Sequence, residues 1–365
     1  MSTPLPPQER VGYAVIGVGE LTTAELLPAF ALSRFSRLAA LVSGDRAETE
    51  RIAAGYGLTS QDVFTYDQLD ELAQRQDIGA VYIVTPNSLH REQTERAAQA
   101  GKHVLCEKPM ATTVEDAEAM VQACRVAGVK LMIAYRCQYT PQHWQARRLV
   151  QEGDLGDIRV MDSVHGQMED DAGAWRLKRD LAGGGPLPDI GLYCLNTLRF
   201  LLGREPQEVS ATLYQPQGEE RFQEVEESLA WTMRFPGGIL ASCLTSYNVQ
   251  TIRYLRVFGK EGWLSMDPAY AYQGLRLEVE RASGREELNM DEEDQFTLEI
   301  DHFSQCILQN KTPFTPGEEG LQDQRIMAAI YQSAQEQRPV ALEQIDGLDV
   351  FRGELPDSAR SGGEQ

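Results

Sequence analysis

Long apolar runs are missing from this chain of 365 residues. No stretch approaches the ~20 apolar residues that a membrane-crossing helix needs. The N-terminus, MSTPLPPQER, offers neither a basic nor an apolar segment, so no signal peptide is expected. Basic side chains are scarce as well: Lys and Arg number 34 against 55 Asp and Glu, a formal charge of −21. So acidic a surface repels phosphate backbones and anionic membranes, which removes nucleic acid and membrane as partners. The six cysteines (Cys106, Cys124, Cys137, Cys194, Cys243 and Cys306) form no Cys-x-x-Cys pair, and the five histidines are scattered. Neither a disulfide framework nor a metal site is expected, and reduced, buried thiols point to a cytoplasmic protein. Repeats and low-complexity tracts are absent too.

What is present is a hydrophobic fraction of 42% and enough chain for two domains. Residues 10–135 alternate strand and helix signals. VGYAVIGVG, RLAALVSG, IGAVYIVTP, KHVLCEKP and KLMIAYRC are near-continuous apolar strands, and helical patterns such as TTAELLPAFALS and TVEDAEAMVQACRVAG stand between them. Such alternation predicts a parallel sheet covered on both faces, an α/β dinucleotide-binding (Rossmann) domain. Residues 136–345 read differently: IRVMDSVHGQM, PQEVSATLYQP, ESLAWTMRF, GILASCLTSYN, IRYLRVFG and GWLSMDP suggest an antiparallel meander in an α+β domain. Residues 346–365 read as a tail, the last ten of them disordered.

The chemistry starts in the first strand-to-helix turn, GVGELT. Gly17 permits the tight turn and Gly19 lets a pyrophosphate approach a helix N-terminus, with Val18 and Glu20 lining the turn. Thr22 stands where the third glycine of the fingerprint would be. After the second strand, Ser43 and Gly44 occupy the place of the carboxylate that would hold a ribose hydroxyl. With Arg46 nearby, that favours NADP over NAD. Asp45 reads as a helix-start carboxylate turned to water. Glu107–Lys108–Pro109 ends an apolar strand with a charged pair, and the proline restricts Lys108, so the lysine is aimed at something. GGGPLPDIGLYCLN offers a target: its glycines bring the backbone close to something, and Asp189 and Tyr193, four apart, share one helix face. A phenol beside an ammonium is a usable proton acceptor. Arg136, Trp175 and Arg176 are candidates for cofactor phosphates or stacking, and His90, with Pro86 and Asn87, lies past a strand end where ligands bind.

These motifs together resemble the glucose–fructose oxidoreductase, inositol dehydrogenase and rhizopine-catabolism (Gfo/Idh/MocA) family. The similarity runs over residues 11–340 and is closest to the glucose–fructose or aldose–aldose oxidoreductase branch, in LVSG, PNSLH, GKHVLCEKPMAT, YRCQY, LAGGG, MDP and PGEEGLQD. The resemblance implies hydride transfer between a sugar carbon and NADP, with Lys108, Asp189 and Tyr193 catalytic. Tyr66 and Glu107 join the cofactor set. Two departures stand out: the branch is exported with a signal sequence, and a basic residue that helps hold its ribose phosphate falls on Glu48. The expected activity is an oxidoreductase acting at C1 of an aldose. A dehydrogenase of another cyclic polyol or a dihydrodiol, or a non-catalytic NADP-binding regulator, is the alternative. A homodimer or homotetramer is expected through an open sheet face carrying Leu229, Trp231, Met233, Leu240 and Leu244.

Overall fold

The computed structural model describes residues 4–359, which fall into two compact units. The first takes the chain up to Arg136, then Asp294–Leu321 and the segment from Phe351. Its strands are β1 (Val11–Ile16), β2 (Ser36–Val42), β3 (Val63–Phe64), β4 (Ala80–Ile83), β5 (His103–Glu107) and β6 (Leu131–Ala134). They pair in parallel in the order β3-β2-β1-β4-β5-β6. β1 and β4 are buried at every position, because helices cover both faces. The strand order reverses between β1 and β4, which opens a ligand crevice at the C-terminal strand ends. The turns holding Gly17, Ser43, Pro86 and Lys108 all lie at those ends.

A helix the sequence did not signal, Gln295–Leu308, completes this unit. Its Ser304 hydroxyl lies 2.9 Å from the Tyr13 hydroxyl and 2.7 Å from that of Ser36. Its Asp301 carboxylate accepts the backbone N–H groups of Arg34 and Phe35 at 3.0 and 3.1 Å. One unit boundary falls after Arg136, and the first unit takes up the chain again at Phe351. Phe351 onward packs into the first unit, where Arg352 pairs with Glu319 at 2.7 Å with neither side chain exposed. Of the ten residues read as disordered, Asp357–Ala359 form a short helical turn, and residues 360–365 lie outside the described residues.

The second unit comprises Cys137–Glu293 and Gln322–Val350. Its strands are β7 (Ile158–Met168), β8 (Glu208–Tyr214), β9 (Ser228–Phe235), β10 (Ile239–Ser246), β11 (Asn248–Gly259), β12 (Trp263–Met266), β13 (Leu277–Arg281), β14 (Gly284–Leu288) and β15 (Val340–Ala341). They form one sheet, ordered β14-β13-β12-β11-β7-β10-β9-β8-β15. A simple meander is not what forms: β10 lies parallel to β7, while the other neighbours are antiparallel. The chain leaves β7 through the helix Leu192–Leu202, so β7 ends between β10 and β11 and joins two antiparallel runs.

That helix packs on β7 and β10 and covers one sheet face. Leu229, Trp231 and Met233 point into this cover and are buried. The opposite face carries Leu240 (54% exposed), Leu244 (41%) and Val160 (46%), and Leu240 sits beside Val160 in register. The five residues expected on one open face are thus split between two, as the period-2 pleat requires for odd and even positions in these paired strands. All six cysteines are buried, and none is in a disulfide.

Candidate active site

In the first unit, Gly17 leaves β1 with φ 103°, and a Cβ there would lie 2.7 Å from the Val84 carbonyl oxygen, so only glycine fits. Nothing stands within 4 Å of the place a Gly19 Cβ would take, and Gly19 and Glu20 are exposed. Thr22 is buried and donates to the Gly17 carbonyl at 2.6 Å, which ties the turn to the helical segment starting at Thr22. An open glycine ledge at a helix start suits a pyrophosphate. At the end of β2, Asp45 caps the helix Arg46–Gly55, its Oδ1 taking the Glu48 N–H at 2.9 Å. The Tyr66 phenol hydrogen-bonds Ser43, and its ring comes within 3.5 Å of the Gly44 Cβ position. Arg46 gives Nε to Glu50 at 3.0 Å and Nη2 to the Ser60 carbonyl at 2.8 Å. A hydroxyl and a guanidinium beside a carboxylate already occupied in capping fit a dinucleotide whose ribose carries a phosphate.

Lys108 follows β5, half-buried, and the Lys108–Pro109 peptide is cis. Glu107, buried behind it, accepts the Lys108 N–H through Oε2 at 3.1 Å and the Tyr82 hydroxyl through Oε1 at 2.9 Å. Burial pushes the Glu107 carboxyl up, and the Lys108 ammonium pulls it back. Two residues expected to meet a cofactor have other partners. His90 is fully buried between two loops, Nδ1 on the Pro109 carbonyl at 3.0 Å and Nε2 on that of Thr85 at 2.9 Å. Burial lowers its pKa and the two carbonyl oxygens oppose that, since a neutral ring can donate to only one of them; both ring nitrogens are taken up by the strand-end loops. Arg136 is also buried, donates to Gln295, and supplies positive charge to Glu107. Pro86 caps the turn Asn87–Leu89, and Asn87 is buried.

In the second unit, every residue from Gly184 to Gly203 is buried except Asp189 and Tyr193. Asp189 lies inside a π-helical turn, Leu187–Gly191, whose N-cap is Pro186. Its Oδ2 accepts the Tyr247 hydroxyl at 2.7 Å and faces Arg176 Nε at 3.2 Å. Arg176 also lies over the Trp175 ring at 4.7 Å, so its guanidinium is held between that ring and the carboxylate. Tyr193 meets the rings of His165 and Tyr270 at 5.3 and 5.7 Å, and those two stack at 5.2 Å. Ser163 fixes the Tyr270 hydroxyl at 2.6 Å. The glycines have an internal cause: a Cβ on Gly184 would meet the Tyr331 hydroxyl, and one on Gly185 the Glu226 backbone. His165, Tyr247 and Tyr270 are not among the residues the motifs point to, although His165 and Tyr247 lie in IRVMDSVHGQM and GILASCLTSYN, and Tyr270 lies two residues past MDP.

Residues 11–135 match the family model described as an oxidoreductase family with an NAD-binding Rossmann fold, and residues 147–342 match the C-terminal alpha/beta domain of the same family. The chain belongs to the Gfo/Idh/MocA oxidoreductase family. Among its relatives, the D-xylose 1-dehydrogenase [NADP(+)] of Haloarcula marismortui is 36% identical over 342 residues, 91% of this chain and 93% of that protein. A solved structure of aldose–aldose oxidoreductase from Caulobacter crescentus, complexed with glycerol, is 42% identical with a TM-score of 0.89, covering 91% of this chain and all of that one. A 3-ketoreductase from Actinomadura kijaniata, in complex with NADP and TDP-benzene, is 26% identical at a TM-score of 0.79 over 89% of this chain and 98% of that one. The Gfo/Idh/MocA assignment thus covers residues in both units.

Proposed function

We propose that this protein is an NADP-dependent sugar oxidoreductase that moves hydride between C1 of an aldose and the nicotinamide. The observation that carries the reading is the pair Asp189 and Tyr193, the two open positions on an otherwise buried helical segment, in a chain whose dinucleotide fold ends a strand in Glu107–Lys108. NADP use is supported by the Ser43, Gly44, Arg46 set, and by relatives named for NADP and for sugars. When bound, NADP supplies the hydride acceptor. Tyr193 takes the C1 hydroxyl proton as the C–H bond breaks, so that C1 becomes a lactone carbonyl. Lys108 orients that hydroxyl and balances the charge developing on its oxygen. Asp189, locked by Tyr247 and Arg176, accepts a neighbouring sugar hydroxyl.

Purified protein mixed with NADP and a panel of aldoses should form reduced cofactor and lactone. Lys108→Ala should lower kcat and kcat/KM together by several orders of magnitude, with NADP affinity changing far less. Tyr193→Phe should spare the melting temperature and lose about 10²–10⁴-fold in rate. If both variants keep more than about a tenth of the wild-type rate, these roles are wrong, because proton-transfer groups contribute more than that. A cofactor absorbance band surviving purification would extend the reading to a two-sugar cycle on retained NADP. Pairing of two copies through the outer sheet face around Val160, Leu240 and Leu244 belongs to the same proposal, since a patch of that kind is better covered than left in water.

A further inference from the structure

Tyr82, on β4, has no exposed surface, and its hydroxyl meets two carboxyl groups: Glu107 Oε1 at 2.9 Å and Glu299 Oε2 at 3.2 Å. A phenol has one hydrogen to give. Donated to the nearer Glu107, it leaves the Tyr82 oxygen as an acceptor, and the hydrogen between Tyr82 and Glu299 then has to come from Glu299. The surroundings agree with that count. Glu299 is fully buried and its Oε1 has no hydrogen-bond partner, a tolerable state for a neutral acid and a costly one for an ion. The groups facing Glu299 are Tyr82, Glu107, Arg136 and Asp294. Those facing Glu107 are Lys108, Tyr82, Arg136 and the Cys106 thiol. Two cations therefore favour the charge on Glu107, one of them adjacent in sequence. Glu299 shares only Arg136, and burial, followed by the charge of Glu107, drives its carboxyl strongly upward.

We propose that Glu299 is a positioning residue: its carboxyl stays protonated at neutral pH and, through Tyr82, holds Glu107 as an acceptor-only carboxylate against Lys108. The proposal rests on the reading of Lys108 as catalytic. Glu107 accepts the Lys108 N–H through Oε2 while its Oε1 takes the phenol hydrogen, so the phenol holds the carboxylate in the orientation that meets the Lys108 backbone. Loss of the Glu299 proton would set two like charges on one hydroxyl and push Glu107 away from that position. Turnover should then fall on the alkaline side.

Glu299→Gln keeps a hydrogen-bond donor for the Tyr82 oxygen and cannot ionise. The first measurement uses infrared spectra of the cofactor-free protein at pH 7. The wild-type minus Glu299→Gln difference should contain the C=O stretch of a neutral carboxyl, and a difference without that band overturns the assignment. Tyr82→Phe, which keeps both acids, should shift the same band. An unmoved band would sever Glu299 from Glu107 and also overturn it. The second measurement is the pH–rate profile with the best aldose. Glu299→Gln should keep kcat at pH 7 within about threefold and move or flatten the alkaline limb, a change that lost packing alone would not produce. Profiles that overlay across the alkaline range would refute the positioning role. Should the wild type oxidise no aldose, the proposed function fails and the infrared arm still decides where the proton sits.

Discussion

Replacing Gly184 with alanine should destabilise the second unit by about 4 kcal/mol, within a range of roughly 2–6. The new methyl would run into the Tyr331 hydroxyl, 2.9 Å from Tyr331 Cζ and 3.3 Å from Pro188 Cδ. Tyr331 cannot retreat without breaking its 2.7 Å bond to Glu226 Oε1, and Glu226 is 1% exposed. Overpacking of that kind costs about 1–3 kcal/mol, and a buried acceptor stripped of its donor costs about 1–3 more. Tyr331→Phe alone loses only the second of these. In the double variant the oxygen that met the methyl is gone and the hydrogen bond cannot be lost twice. The pair should therefore be about 1–3 kcal/mol less destabilised than the sum of its parts. All four tryptophans (Trp144, Trp175, Trp231 and Trp263) lie in this unit, so urea unfolding followed by tryptophan fluorescence reads the cycle directly. Additivity within about 0.5 kcal/mol would refute the reasoning. So would a stable Gly184→Ala with weakened substrate binding, the pattern expected if the glycines made way for a ligand.

Other consequences can be checked as simply. Glu50→Gln should release Arg46 from an exposed ion pair worth ~0.2–1 kcal/mol and tighten NADP binding by up to about fivefold. Fluorescence titration should show NAD affinity unchanged, and equal gains for both cofactors would remove Arg46 from the ribose phosphate. His302 accepts the Phe314 N–H at 2.9 Å, and burial holds its pKa down at about 3. The unfolded chain, with an ordinary histidine near ~6.5, binds more protons across that window, so this contribution is complete above ~6.5 and is lost as the pH falls toward 3. Unfolding free energies of His302→Gln should show a slope shallower by up to ~1.4 kcal/mol per pH unit between roughly pH 4 and 6, and parallel slopes would contradict it. Leu240→Glu should leave a monomer by light scattering where the wild type shows a larger species. An identical mass for the two proteins would move the interface off this face.

The strands were legible wherever burial follows a simple pattern. β7 was readable as one run, Ile158–Met168, and the continuously apolar β1, β4 and β5 announced a sheet covered twice. β14 escaped because its sequence, GREEL, carries charges on a sheet edge with no alternation to detect, and the alternation of β13, LEVER, spans only four residues among charges. Period 2 showed that β9 and β10 have two unlike faces, but which face a helix would cover depends on the helix Leu192–Leu202, and local pattern cannot supply that. At the site, Asp189 and Tyr193 were visible from their spacing. The groups that hold them, Tyr247, His165 and Tyr270, come from strands and loops remote in sequence. His90 shows the converse: a polar residue at the expected strand end, whose ring is committed to two carbonyl oxygens that no motif records.

The discontinuity of the first unit also has a consequence in time. A ribosome makes residues 1–136 first, and domains generally fold as they emerge. Here they emerge without their partners. The hydroxyls of Tyr13 and Ser36 wait for Ser304, the amides of Arg34 and Phe35 for Asp301, and Tyr82 for Glu299. None of these arrives until β7–β14 have been synthesised, so the sheet unit has most of its chain in hand while the cofactor unit is still open. The nascent cofactor unit holds apolar strands with an incomplete cover through most of translation, a window in which a holding chaperone has something to bind. Its contact of Arg352 onto Glu319 follows Val350 of the sheet unit, so a chain stopped between the two would leave the cofactor unit unfinished rather than the sheet unit.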